Sequence, residues 1–264
     1  MSRMIRTTPT PPASEDERRS RRGRECVALV GEVGSLEHIV EVLDILNERY
    51  GYDDVPPDGF STGEPLDGLV LTVLSQNTND RNRDRAYAVL RERYPEWSVV
   101  ASIAEDELAD AIRPAGLGDT KAARIKLILS RIREDFGAYT LVSMKDWEPG
   151  AVSDYLLALP GVGPKTVGCV MAFDLGMPAF PVDTHVARIS RRLGWAGEKE
   201  SPEKIQLFLE STVPPGRCRG GHLNMIAHGR EICRARAPSC GLCPLSSICR
   251  SAAADGEPAG RAKV

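Results

Sequence analysis

Four cysteines fall within 17 residues as Cys233-x6-Cys240-x2-Cys243-x5-Cys249. One Cys-x2-Cys chelate with two flanking thiolates can wrap a single tetrahedral ion or a polynuclear centre, and spacing alone does not choose between them. Zinc ribbons more often use two Cys-x2-Cys pairs; here there is one, with unequal flanking loops. The alternative is a set of buried, unligated thiols. Around these residues the charge is one-sided. Between 217 and 250 stand Arg217, Arg219, Arg230, Arg234, Arg236 and Arg250 against a single acid, Glu231. Such a skin suits contact with phosphate, or it balances the thiolates.

A second group is Leu159-Pro160-Gly161-Val162-Gly163-Pro164-Lys165-Thr166. Glycines at 161 and 163 allow a tight turn with positive φ and close approach of another backbone. Pro164 opening a helix leaves the N–H groups before it directed outward, an arrangement suited to one phosphodiester. The spacing is not that of a nucleotide-binding P-loop, and no strand precedes it as a dinucleotide fingerprint requires. A plain turn between helices is the alternative. A third group is Pro181-Val182-Asp183-Thr184-His185-Val186, where Asp183 can cap a helix over 184–193 or act as a catalytic carboxylate.

The elements that must position these residues read as helices. Ser35 caps a segment in which Leu36, Ile39, Leu43, Leu46 and Tyr50 recur every three or four residues. Residues 66–76 form a nearly all-apolar stretch, a buried helix. Helical patterns or start signals follow over 80–93, 105–112, 120–135, 151–158, 164–175, 184–193, 202–212 and 220–232. Ser201-Pro202 is a cap followed by proline at the first helical position. No run of strict alternation marks a strand. Breaks at 54–65 and 174–183 bracket about 110 residues, as if one helical unit were inserted into another built from both chain ends.

Composition agrees with an ordinary globular protein: 264 residues, 42% hydrophobic and 27% charged. No window approaches 18 consecutive apolar residues, which excludes a helical membrane span, and the first residues lack the apolar core of a secretory signal. Crowded cysteines favour a reducing compartment and a metal over a disulfide scaffold. The net charge of −3 hides an uneven distribution. Residues 32–67 hold ten acids against Arg49, while residues 1–24 carry seven Arg against three acids. Residues 1–24 and 251–264 read as disordered tails.

Taken together, LPGVGPKT at 159–166, VDTH at 182–185, HGREIC at 228–233 and the cysteine spacing resemble the endonuclease III branch of the helix-hairpin-helix DNA glycosylases. The likeness covers roughly residues 35–250. It implies an all-α fold of two helical domains with a cleft between them. A six-helix barrel carrying the helix-hairpin-helix would span 58–177, and an iron–sulfur domain 25–57 with 178–250. It further implies a [4Fe–4S] cluster on Cys233, Cys240, Cys243 and Cys249. Lys165 matches the catalytic lysine and Asp183 the catalytic aspartate. Gly161, Val162 and Gly163 match the hairpin that clamps backbone phosphate without reading sequence. GLGDTKA at 116–122 resembles the segment that wedges into the duplex, with Leu117 as the candidate; a surface Leu in a loop is the alternative. Either Gln76 or Asn77 takes the place of the glutamine that fills the gap left by the extruded base. His185 follows the aspartate and either faces the opposite strand or is structural.

The implied reaction is bifunctional. A damaged nucleotide, in the first instance an oxidised pyrimidine, is flipped out of double-stranded DNA. The uncharged Lys165 amine attacks C1′, and the resulting Schiff base undergoes β-elimination that nicks the strand. The protein would act as a cytoplasmic monomer with no membrane partner. A mismatch-directed (G:T or G:U) glycosylase of the same superfamily is the nearest alternative. The monofunctional adenine enzymes lack the lysine, and their further C-terminal domain is not expected here. A non-catalytic DNA-binding module is the alternative from another class.

Overall fold

The computed structural model describes residues 35–56 and 63–255, with side chains to residue 252; the tail at 1–24 and Cys26 lie outside the described residues. Regular structure is helical throughout, with no strand among the described residues. None of the helices among the described residues is long and apolar enough to cross a membrane. The chain divides into two compact units, one built from residues 57–177 and one from the segments on either side of it.

The 57–177 unit is organised around α2, Pro65–Ser75. Its sequence PLDGLVLTVLS is apolar almost all round because neighbours cover it all round. It packs against α3 (Asp80–Arg93), α6 (Gly118–Phe136) and α8 (Pro164–Cys169). Leu66, Leu69, Val70, Val73 and Leu74 are fully buried. Glu64 caps α2 by accepting from Leu66 N at 3.1 Å, and the same carboxylate accepts from Leu141 N at 2.9 Å. The remaining helices of the unit are α4 (Trp97–Ser102), α5 (Glu105–Ala111) and α7 (Pro149–Leu157). Helix α4 is not foreshadowed in the sequence, because six residues with adjacent Val99 and Val100 carry little periodicity.

Helix α8 runs on into a π-helical turn, Val170–Asp174. This turn carries Asp174 against α2, where a Cβ at Gly68 would collide with its carboxylate. Gly68 is therefore a close-approach residue in mid-helix. Burial first, then the charge of Asp67, raises the Asp174 pKa to about 7. The folded protein therefore holds a proton that the unfolded chain releases near 3.8, so stability falls as pH rises from about 4 to 7 and levels off above that. Asp174→Asn keeps the shape and removes the charge. It is expected to flatten this slope and to raise the melting temperature at pH 8 while changing it little at pH 4. Parallel thermal melts of the two proteins across that range check this, and coincident pH profiles would refute it.

The second unit centres on α11 (Cys218–Glu231), which packs against α1 (Leu36–Tyr50) and α9 (Thr184–Leu193). Its core holds Ile39, Leu43, Leu46, Phe180, Val186, Ile189, Leu209 and Met225. Helix α10 is Pro202–Thr212, capped by Ser201, whose Oγ accepts from Lys204 N at 3.3 Å. Trp195 is buried and donates from Nε1 to His38 Nδ1 at 3.3 Å, while His38 Nε2 donates to Ile248 O at 3.0 Å. Residues Arg250–Asp255 form a last helix, α12, where composition alone predicts a tail. The run of three alanines is a strong helix former.

Candidate functional site

Lys165 is the second residue of α8, behind the turn that Pro160–Gly163 makes after α7. Gly161 has φ 70°, and a Cβ there would strike the guanidinium of Arg124. Glycine is thus required twice over, by conformation and by contact. Gly163 differs from the sequence-based expectation. Its φ is −107°, ordinary extended backbone, and a Cβ there would meet nothing within 4 Å. Only one of the two glycines therefore supplies the positive φ. Val162 turns inward and is buried. No side chain caps α8, so its first N–H groups are left for another acceptor. Lys165 is half-buried, and its Nζ has no hydrogen-bond or ion-pair partner among the described residues.

Two further turns of this unit carry candidates. Gln76 closes α2, and Asn77 follows with φ 54° and is exposed. Leu117 precedes α6 with φ 51° and is 57% exposed. A leucine held in the left-handed region carries backbone strain, since few residues with a Cβ adopt it. Both turns are held by Lys121, which sequence reasoning missed. It is buried and donates to Leu74 O at 2.8 Å and Ala115 O at 2.9 Å. Arg124, also missed, bonds Gln76. Neither could be singled out in a helix that carries three other basic residues.

In the second unit Asp183 is the N-cap of α9. Its Oδ1 accepts from His185 N and Val186 N, both at 2.8 Å. The cap uses one oxygen, and Oδ2 carries no hydrogen bond among the described residues. The segment leading to it is pinned by buried Phe180 and Val182 and by His222, whose Nδ1 donates to Pro181 O at 2.7 Å. His185 lies against Gly229, where a Cβ would crowd its ring. Its Nδ1 accepts from Arg188 Nη2 at 3.0 Å. A guanidinium can only donate, so the neutral ring carries its proton on Nε2. Arg188 also reaches Gly229 O at 3.0 Å and Cys233 O at 2.9 Å, tying α9 to the start of the cysteine segment.

All four cysteines line one cavity of about 400 Å³, with Ile189, Arg192 and His228 among the other lining residues. Arg192 Nη1 donates to Cys233 Sγ at 3.2 Å, and His228 Nε2 lies 3.6 Å from Cys243 Sγ. Burial, then the nearby Arg49 charge, lowers the His228 pKa to about 4, so this ring is neutral at pH 7. Among the described residues no three His, Cys, Asp or Glu side chains are grouped to hold one metal ion. Cys169 and Cys218 are buried away from this cavity.

Residues 70–215 match the family described as HhH-GPD superfamily base excision DNA repair protein. Endonuclease III of Bacillus subtilis is 34% identical over 186 residues, which cover 70% of this chain and 81% of that protein. A putative DNA glycosylase of Arabidopsis thaliana is 40% identical over 149 residues; the match takes in 56% of this chain and only 51% of the plant protein. Among solved structures, a non-covalent complex of endonuclease III with DNA superposes with a TM-score of 0.73 at 28% identity. It covers 84% of this chain and 99% of that one. An all-helical fold, a glycine hairpin running into a lysine-bearing helix and these matches converge: the chain belongs to the HhH-GPD superfamily of base excision DNA repair proteins.

Proposed function

We propose that the protein is a bifunctional DNA glycosylase and abasic-site lyase acting on double-stranded DNA that carries a damaged or abasic nucleotide, with oxidised pyrimidines as its lesion class. The observation that carries this reading is Lys165: an amine at a helix start, directly behind a glycine hairpin, with no hydrogen-bond or ion-pair partner among the described residues. Extrusion of the nucleotide costs a few kcal/mol, less for a damaged base. The uncharged Nζ of Lys165 attacks C1′ as the bond from C1′ to the base breaks and the base leaves with its electron pair. The amine loses a proton, the sugar ring opens, and a Schiff base joins Nζ to C1′. Loss of a C2′ proton then expels the 3′ phosphate. The Asp183 carboxylate steadies positive charge that develops on the sugar and assists proton removal from Lys165. The backbone of Gly161–Gly163 holds a phosphodiester without reading sequence. Leu117 enters the duplex as the wedge, and His185 faces the strand opposite the lesion.

Cys233, Cys240, Cys243 and Cys249 would hold a [4Fe–4S] cluster. The four thiols line one cavity of about 400 Å³, and four thiolates closing short loops around one space are a donor set suited to such a centre. Holding such a group, the four cysteines would close the 233–249 segment on itself, and Arg234 and Arg236 within it would be placed to meet the DNA backbone. The protein is further proposed to act as a monomer in the cytoplasm.

Incubation with borohydride and a panel of duplexes tests the chemistry. The panel carries an oxidised pyrimidine, a uracil, a mispaired thymine or an abasic site. A trapped covalent adduct and a nicked strand are expected with the oxidised pyrimidine and the abasic site. A protein that binds these duplexes and leaves all of them intact is not this enzyme. The purified protein is expected to be brown and to contain iron and sulfide in equal amounts; zinc in their place overturns the cluster.

A further inference from the structure

The stretch after the last cysteine, which composition alone assigns to a tail, enters the cysteine cavity. Ser251 and Ala252, in the first turn of α12, line it together with Ile189 and Leu193 of α9 and with Ile232. The seat of this turn is specific. Gly194 is the C-cap of α9, with φ 90°, and a Cβ there would come within 3.0 Å of Arg250 Cδ and 3.5 Å of Arg250 Cβ. Glycine is thus required by conformation and by contact. The methylenes of Arg250 lie on this bare backbone while the residue as a whole stays exposed, and a cation at the C-terminal end of a helix is favoured. The residue after Gly194 holds the chain from the other direction. Trp195 donates to His38, and His38 donates to Ile248 O, so the backbone is pinned two residues before α12 begins. Ala252 N then donates to Cys249 O at 3.1 Å, which turns the chain into helix straight from the last cysteine.

We propose that α12 is a wall of the cofactor site: seated on Gly194 through Arg250, it holds Ser251 and Ala252 against the cavity and limits the access of water, dioxygen and chelators to the group that the four cysteines hold. This inference rests on the metal centre proposed above. The shell around a metal site controls the entry of solvent, and the behaviour of an iron–sulfur group follows its exposure. Arg250 acts here through its stem, as a positioning residue; Ser251 and Ala252 form the surface that faces the bound group.

The test uses the purified full chain with its metal and reads metal loss instead of activity. Iron released to a ferrous chelator and the fading of visible absorbance in air are followed with time. Ala252→Pro removes the N–H that bonds Cys249 O and drives Ser251 out of helical conformation. It is expected to speed both processes about 10-fold, the lower end of what loss of a supporting shell costs a metal site. Arg250→Gly takes the stem off Gly194 and is expected to speed them several-fold. Arg250→Met keeps methylenes on Gly194 without the charge and is expected to stay near the wild-type rates. Leu242→Ser alters an exposed residue between two of the cysteines that does not line the cavity, and is expected to change neither rate. Melting temperatures taken without oxygen separate local opening from unfolding. Wild-type rates in a folded Ala252→Pro overturn the inference. So does equal acceleration by Leu242→Ser, or acceleration by Arg250→Met as large as by Arg250→Gly. Zinc in place of iron and sulfide would remove the proposed cluster and leave the wall standing if zinc release to a chelator follows the same order of variants. Iron and sulfide with release indifferent to residues 250 and 252 would do the reverse.

Discussion

Lys165→Gln is expected to yield no borohydride-trapped adduct and to slow strand cleavage at an abasic site by roughly 10³-fold or more, the scale on which loss of a covalent nucleophile is felt. Glutamine keeps the length of much of the side chain but offers an amide nitrogen, which cannot form a Schiff base. Stability should hardly change. The Lys165 side chain is half-buried and makes no hydrogen bond or ion pair among the described residues, and such substitutions usually stay within about 0.5 kcal/mol. Binding to an abasic-analogue duplex is therefore expected to persist. An adduct that still forms in the variant would transfer the nucleophile to another amine and sink the assignment.

Asp183→Asn separates two roles that one residue holds. The cap depends on Oδ1, which accepts from His185 N and Val186 N. Asparagine caps about as well as aspartate, so α9 should stay in place, with a melting temperature within a few degrees of wild type. What the variant loses is the negative charge, including that on Oδ2, which has no hydrogen bond among the described residues. Base removal is expected to fall by about 10²- to 10⁴-fold, in the range seen when a group aimed at developing charge is deleted. Asp183→Ala should fall as far in activity and also lose about 1 kcal/mol of stability with the cap, lowering the melting temperature by roughly 2–4 °C. If Asp183→Asn removes bases at the wild-type rate, or unfolds, the residue is a cap and nothing more.

Alone, the sequence determined whatever depends on neighbours a few residues apart. Ser35 and Ser201 cap the helices they precede, Pro164 and Pro202 open theirs, and Asp183 accepts from N–H groups two and three residues on. These are local bonds, so spacing reveals them. The four cysteines, close in sequence, line one cavity. Even local reading failed where the backbone had a choice: Gly163 can adopt positive φ and does not.

Tertiary structure decided which amide of the pair at 76 and 77 is free. That depends on Arg124 and Gly161, 48 and 85 residues from Gln76. It also decided that Lys121, one of many basic residues, is buried between two turns, and that Arg188 and Arg192 spend their donors on the cysteine segment. A long cationic side chain in a sequence carries no sign of whether water or a carbonyl will receive it. Only when distant segments pack does the cost of leaving a buried donor unpaired select its partner.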